Sequence, residues 1–199
     1  FNKISFNILM LCPMKTKLLI LIFSALFLWE SFGCSKSESP YAKGNLEIQF
    51  SFNKPAGDMQ PSYQIAIWLE DLKGLYIKSL FVSEYLSYGG YNDSTICPLW
   101  SKKSNWNDVS EVEFNAVTQA TPGIGLNKIQ INCIEHKVPT GKYHYVFQAH
   151  IQERYNITYR GEIEFGKNSD EDSGKVEYYP ERHPDAGEIL SDVLVKYIN

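Results

Sequence analysis

In the run Asn115-Ala116-Val117-Thr118-Gln119-Ala120-Thr121-Pro122-Gly123, one hydroxyl is set apart by its neighbours. Thr121 lies between small Ala120 and rigid Pro122, so an incoming transferase meets little side-chain bulk there. The same run also reads as plain turn chemistry, in which small residues and Pro-Gly lead the chain into the next strand. Both readings stay open at this level. A second reactive position is Cys34, which with Gly33 closes the apolar run 18–29 in place of a small-x-small cleavage site.

Other constellations lead to less. His144 and His150 have an even separation and share one face of a predicted strand, but they stand roughly 20 Å apart along it, too far to share a metal. That face also carries Val146, Gln148 and Gln152, and it reads as a polar outer face. Asp170-Glu171-Asp172 lacks the alternating ligands and central glycine of a calcium loop and reads as a solvated charge run. Gly123-Ile124-Gly125 is too short for a phosphate-binding fingerprint. The sequence contains neither a Gly-x-Ser-x-Gly elbow nor a His-Glu-x-x-His pair, so a non-catalytic domain is expected, with no metal site.

The elements that position these residues begin after a leader. Met14 is followed by Lys15 and Lys17 and then by the apolar run, the right length for a signal-peptide core and too short to span a membrane. Residues 1–13 read as an upstream extension, 14–33 as the signal peptide, and 34–44 as a tether carrying Pro40. The closing segment resembles a bacterial lipoprotein signal, with Ser31 and Phe32 where smaller or more aliphatic residues are usual. On that resemblance Cys34 is acylated, for example by palmitate, and ties the protein to a membrane. Ser35 and Lys36, with no Asp after Cys34, favour the outer membrane. The formal charge of −4 offers no basic patch for nucleic acid. Cys97 and Cys133 make an even pair in an oxidising compartment, and they read either as a disulfide or as two separately buried thiols.

Alternation dominates the rest of the chain. Leu46, Ile48, Phe50 and Phe52 point one way and Glu47, Gln49, Ser51 and Asn53 the other. Runs 63–70 and 75–84 flank the turn 71–74 and predict a hairpin. Further strands are expected over 128–134, 142–152, 158–165, 176–179 and 191–198. Residues 85–108 show no period; with Trp100 and Trp106 they read as a long, aromatic-rich loop, a candidate surface for carbohydrate or protein. Asn107 or Asp108 is placed to cap a short helix through about Phe114, with Glu111 at the capping-box spacing. Residues 45–199 therefore predict one all-β domain: an antiparallel, immunoglobulin-like β-sandwich of seven or eight strands.

Four stretches in order, SYQIAIWLEDLKGLYIKSLFV (62–82), the 100–106 region, NAVTQATPG (115–123) and VPTGKYHYVFQAHIQE (138–153), resemble the predicted periplasmic family called domain-of-unknown-function 2271. The resemblance covers roughly residues 46–165. It implies an envelope location and, as partners, a PepSY-type membrane protein and a flavin transferase that attaches FMN to threonine. The usual acceptor pattern, Asp-x-x-Thr/Ser-x-Ala-Thr, falls on Asn115, Thr118, Ala120 and Thr121. Asn115 stands where the pattern has Asp, and Gln119 where Gly is common. The resemblance thus implies a phosphoester of FMN on Thr121 and an electron-transfer role, with Trp100, Trp106 and nearby tyrosines available to the flavin ring.

Overall fold

The computed structural model describes residues 39–55, 58–184 and 189–199. The extension, the signal peptide and Cys34 lie outside the described residues. The chain joins the domain at Tyr41, which bridges Pro139, and Ala42 is buried with its amide on the Val138 carbonyl at 2.9 Å. The part of the predicted tether next to the domain is therefore docked on it.

Ten strands follow among the described residues: β1 (Asn45–Phe52), β2 (Ile65–Glu70), β3 (Tyr76–Ser83), β4 (Thr118–Gln119), β5 (Gly125–Asn132), β6 (Gly141–Gln152), β7 (Tyr155–Phe165), β8 (Asp170–Asp172), β9 (Lys175–Tyr179) and β10 (Leu190–Ile198). They form a four-stranded sheet, β5-β1-β10-β8, and a six-stranded sheet, β4-β3-β2-β6-β7-β9. All the pairings are antiparallel except β3 with β4. The all-β sandwich predicted from alternation is what the chain forms, with eight strands close to their expected places. The two additional strands, β4 and β8, have two and three residues, too short to carry a period. The acidic run Asp170-Glu171-Asp172 is itself β8, paired with β10 through Val195, Lys196 and Tyr197.

Between the sheets lies a core that includes Leu46, Ile48, Phe50, Phe52, Ile67, Leu69, Phe147, Ile163, Val195 and Tyr197. Phe50 meets Phe52 and Phe147 edge-on, at ring-centroid distances of 5.3 and 4.8 Å. Alternation along β1 puts every second residue into this core, as the sequence predicts.

The predicted aromatic loop is a helical cover. It contains α1 (Glu84–Tyr88), α2 (Pro98–Ser104) and α3 (Glu111–Val117), with single 3-10 turns at Gly90–Asn92 and Trp106–Asp108. Leu86, Ile96, Cys97, Trp100, Trp106 and Val117 pack on Ala66, Trp68, Val82 and Val146, on the face of the six-stranded sheet turned away from the core. The face of β6 expected to meet water is therefore buried over much of its length; Val146 and Gln148 are fully covered.

The cover supplies partners for the side-chain oxygens of Gln148 and Asn156, while Gln148 Nε2 has none among the described residues. Gln148 Oε1 accepts from the amides of Leu99 and Trp100 at 3.1 and 3.2 Å, in the unpaired first turn of α2. Asn156 Oδ1 accepts from Cys97 N at 3.0 Å, and its Nδ2 donates to the Thr95 carbonyl at 2.9 Å. Pro98, at the start of the helix, has no amide to satisfy. The cap of α3 also differs from expectation: Ser110 holds that position and its side chain accepts from Glu113 N at 3.2 Å. Asp108 belongs to the preceding 3-10 turn and accepts from Asn105 Nδ2 at 2.6 Å.

Replacing Gln148 with Leu keeps the bulk but leaves the two helix amides without their acceptor. Urea unfolding is expected to show a loss of about 2 kcal/mol, the usual cost of stranding buried donors. An unchanged midpoint would show that α2 does not depend on this contact.

Candidate functional site

The segment 115–123 is built by three local events. Helix α3 ends at buried Val117, and Thr118 and Gln119 then extend as β4 beside Val82 and Ser83 at the end of β3. The chain leaves the sheet at Ala120. Thr121 turns back toward the residue before β2, where Gln64 Nε2 donates to Thr121 Oγ1 at 3.2 Å. Gln64 is 9% exposed, and the same amide nitrogen lies 3.3 Å from the Ser62 carbonyl. A nearly buried amide thus orients a half-buried hydroxyl, while Ala120 and Gly123 on either side are exposed.

Asn115, Thr118 and Ala120, the other residues of the predicted acceptor pattern, share a cleft of about 260 Å³ with Glu84, Tyr88, Phe114 and Gln119. The structure thus brings these three together and places Thr121 directly after them. Thr118 Oγ1 is buried and has no hydrogen-bond partner among the described residues.

The aromatics divide sharply. Trp100 and Trp106 are 0% and 3% exposed and belong to the packing beneath the cover, so neither presents a face to a ligand. This corrects both the aromatic surface loop and the flavin-stacking tryptophans expected from the sequence. Tyr88, 71% exposed, and the half-buried Phe114 are the aromatics that line the cleft.

Sequence reasoning missed the pair next to Gln64. Ser62 Oγ lies 2.6 Å from His150 Nδ1, and His150 Nε2 lies 2.7 Å from the Glu153 carbonyl. A carbonyl only accepts, so the proton sits on Nε2 and Ser62 donates to Nδ1. Ser62 and His150 are 88 residues apart, and no short motif marks them. Burial pushes the His150 pKa below its ordinary value, against the opposing effects of the Glu153 carbonyl and Asp93. His150 is therefore held neutral, a fixed support for the Ser62–Gln64 bend on which Thr121 rests.

A second unforeseen cluster lies at the opposite end of β2. Glu70 is fully buried; its Oε1 accepts from Trp68 Nε1 at 2.7 Å and Lys103 Nζ at 2.6 Å, and its Oε2 from Arg160 Nη1 at 2.6 Å. Burial raises its pKa, but the bonds from Arg160, Lys103 and Trp68 outweigh that effect and hold it below the usual carboxylate value. Lys103 ties α2 to the sheet here. His144, half-buried on the same face of β6 as His150, lines a cleft with Arg160, Glu162, Asp172 and Lys175.

Cys97 and Cys133 are both buried and both free. Cys97 belongs to the cluster under the helical cover and Cys133 to the core between the sheets, so the six-stranded sheet separates them and the disulfide reading is corrected. Burial raises both thiol pKa values, that of Cys133 to about 11, which leaves them weak nucleophiles.

A family model described as "Predicted periplasmic protein (DUF2271)" matches residues 45–179. The chain matches no curated protein and no solved structure. Among the described residues no helix is long and apolar enough to cross a membrane.

The depressed His150 pKa fixes a sign for stability against pH. The unfolded chain takes up a proton near 6.5 and the folded protein only at lower pH, so stability falls as pH drops through that value. His136, lowered mainly by burial, acts in the same direction. Urea midpoints measured between pH 8 and pH 5 (buffer settings chosen around the usual histidine range, about 6.5) should decline. His150→Gln should flatten that decline, leaving the share due to His136; an unaltered slope would contradict the assignment.

Proposed function

The chain belongs to the DUF2271 family of predicted periplasmic proteins, and from that premise we propose that it is a non-catalytic accessory domain of the bacterial envelope, anchored by acylated Cys34. The observation that carries this reading is the closure of the six-stranded sheet on both faces: core covers one, and helices much of the other. What such a scaffold offers a partner is its rim, and the segment 115–123 lies there. Docking of residues 40–44 on the domain fits a short tether that holds it near the bilayer.

A second reading is favoured by the placement of Thr121: this segment carries FMN through a phosphoester, attached by a flavin transferase, and acts with a PepSY-type membrane protein. The residues present suit such a group. Thr121 offers a half-buried hydroxyl oriented by Gln64, Ala120 and Gly123 leave its approach open, and Asn115 and Gln119 supply polar groups beside it. In the transfer, Thr121 Oγ forms a bond to the flavin-side phosphorus of a flavin adenine dinucleotide. The pyrophosphate bond breaks, AMP leaves, and the hydroxyl proton passes to a base on the transferase. When bound, the flavin would supply one- and two-electron chemistry. Gln64 fixes the hydroxyl, and Ser62 and His150 hold the bend on which Gln64 sits.

One measurement tests both proposals. Protein co-produced with a flavin transferase and extracted from membranes with detergent should show an intact mass that includes acyl chains and FMN. Cys34→Ser should lose the acyl mass and Thr121→Ala the FMN mass. An unacylated N-terminus would sink the anchor; an FMN-free mass in the presence of active transferase would sink the flavin reading and leave the accessory domain standing.

A further inference from the structure

The turn between β2 and β3 is tightly bonded within and apolar on its outside. Asp71 Oδ1 accepts from the amides of Lys73 and Leu75 at 2.8 and 2.9 Å, and the Asp71 amide donates to the Leu75 carbonyl at 2.8 Å. Lys103 Nζ adds a bond to the Gly74 carbonyl at 2.9 Å. Gly74, at φ +83°, takes the left-handed position that lets the chain reverse. The polar groups of this turn are thus engaged with one another, while the side chains of Leu72 and Leu75 stand 55% and 64% exposed. Two leucines held out to water on a fixed loop form an apolar projection with no partner in the fold.

The sheets place further apolar residues at the same end of the sandwich. Glu70, the last residue of β2, pairs with His144, so the turn lies beside the first residues of β6. Just before β6, Pro139 bridges Tyr41 and Thr140 N donates to the Pro40 carbonyl at 3.0 Å, which brings the entry of the chain to this end. The turn 133–138 carries exposed Ile134, and Lys78 Nζ donates to the His136 carbonyl, tying that turn to β3. Exposed Ile77 and Val112 line one cleft with Tyr41. Leu72, Leu75, Ile77, Val112 and Ile134 are therefore gathered about the point where residues 40–42 join the domain. Exposed Lys43, Lys73 and Lys137 stand among them, with Glu111 and Glu135 offsetting part of their charge. Exposed Leu126, near the start of β5, belongs to the other end, roughly 20 Å away along the strand.

We infer that this end of the sandwich rests on the lipid bilayer, with the turn 71–75 set among the headgroups as a rigid apolar footing. The inference rests on the acylation of Cys34 proposed above. Tyr41 stands seven residues beyond Cys34, at most about 25 Å of extended chain, so the end that carries the leucines stays within reach of the surface at all times. Aliphatic side chains gain by leaving water for the interface, and the mixed charge around them suits zwitterionic headgroups. The footing also sets an orientation. Thr118 pairs with Val82 at the far end of β3, and Thr121 meets Gln64 ahead of β2, so this edge of the domain is turned away from the lipid and open to a partner.

The test uses protein extracted from membranes with detergent and returned to phosphatidylcholine vesicles whose acyl chains carry a nitroxide quencher near the headgroup. Lys73→Cys and Leu126→Cys each supply one accessible thiol for an environment-sensitive fluorophore, because Cys97 and Cys133 are buried. Both positions are exposed, so thermal midpoints should match wild type. The expected result is several-fold stronger quenching at position 73 than at 126, most of it lost when Leu72→Ser and Leu75→Ser are added to Lys73→Cys. Equal quenching at the two positions, none at either, or quenching at 73 that survives loss of the leucines would overturn the footing while leaving the anchor intact. Acyl-free protein that leaves the vesicles would overturn the anchor, and the footing with it.

Discussion

Polar groups buried on the outer face of the six-stranded sheet are the constraint around which the rest of the structure is arranged. Glu70, Gln148 and Asn156 are fully enclosed, and each would be costly to enclose without partners. The helical cover meets that requirement at one end with the amides of Cys97, Leu99 and Trp100, and at the other with the ammonium group of Lys103. Hydrogen bonds fix where α2 lies along the strands, and the tryptophans contribute the apolar burial. Glu70 is the shared acceptor of Lys103 and Arg160, so removing its charge releases both cations at once, and the cluster acts as a lock of specific geometry.

The position of the segment 115–123 follows from that lock. Once α2 is fixed, Trp106 packs on Trp100, Phe114 packs on Trp106, and α3 delivers Val117 into the same cluster. The chain must then leave α3 beside the end of β3, where two residues of parallel pairing and the Gln64 amide hold Thr118 to Thr121. A surface hydroxyl thereby acquires a defined orientation without a rigid turn of its own. The scaffold contributes position; in the proposed FMN reading, electron chemistry would belong to the flavin.

The sandwich was legible because alternation reports burial directly when one face of a strand is apolar, as with Leu46, Ile48, Phe50 and Phe52 in β1. The helical cover was hidden for the complementary reason. On β6, His144, Val146, Gln148 and His150 give the pattern of a solvated face, yet Gln148 and His150 are buried with partners distant in sequence. Polarity in the sequence does not distinguish water from a helix amide as the partner. In the segment 85–108, helices of five and seven residues are too short to build a period, and the two tryptophans that read as ligand-binding are its packing. Thr121 and its neighbours are singled out by motif and resemblance, whereas Gln64 and the Ser62–His150 pair beside them are not. Gln64 meets Thr121 across 57 positions of the chain and Ser62 meets His150 across 88, separations that no local pattern marks.

Hydrogen exchange read by mass spectrometry on wild type and Glu70→Gln tests the lock most directly. Glutamine keeps the shape but removes the charge that holds Lys103 and Arg160. The account predicts faster exchange confined to peptides covering 97–104 and the aromatic row that leans on them, with β1 and β10 as protected as before. Protection unchanged over 97–104, or lost uniformly across both sheets, would contradict it.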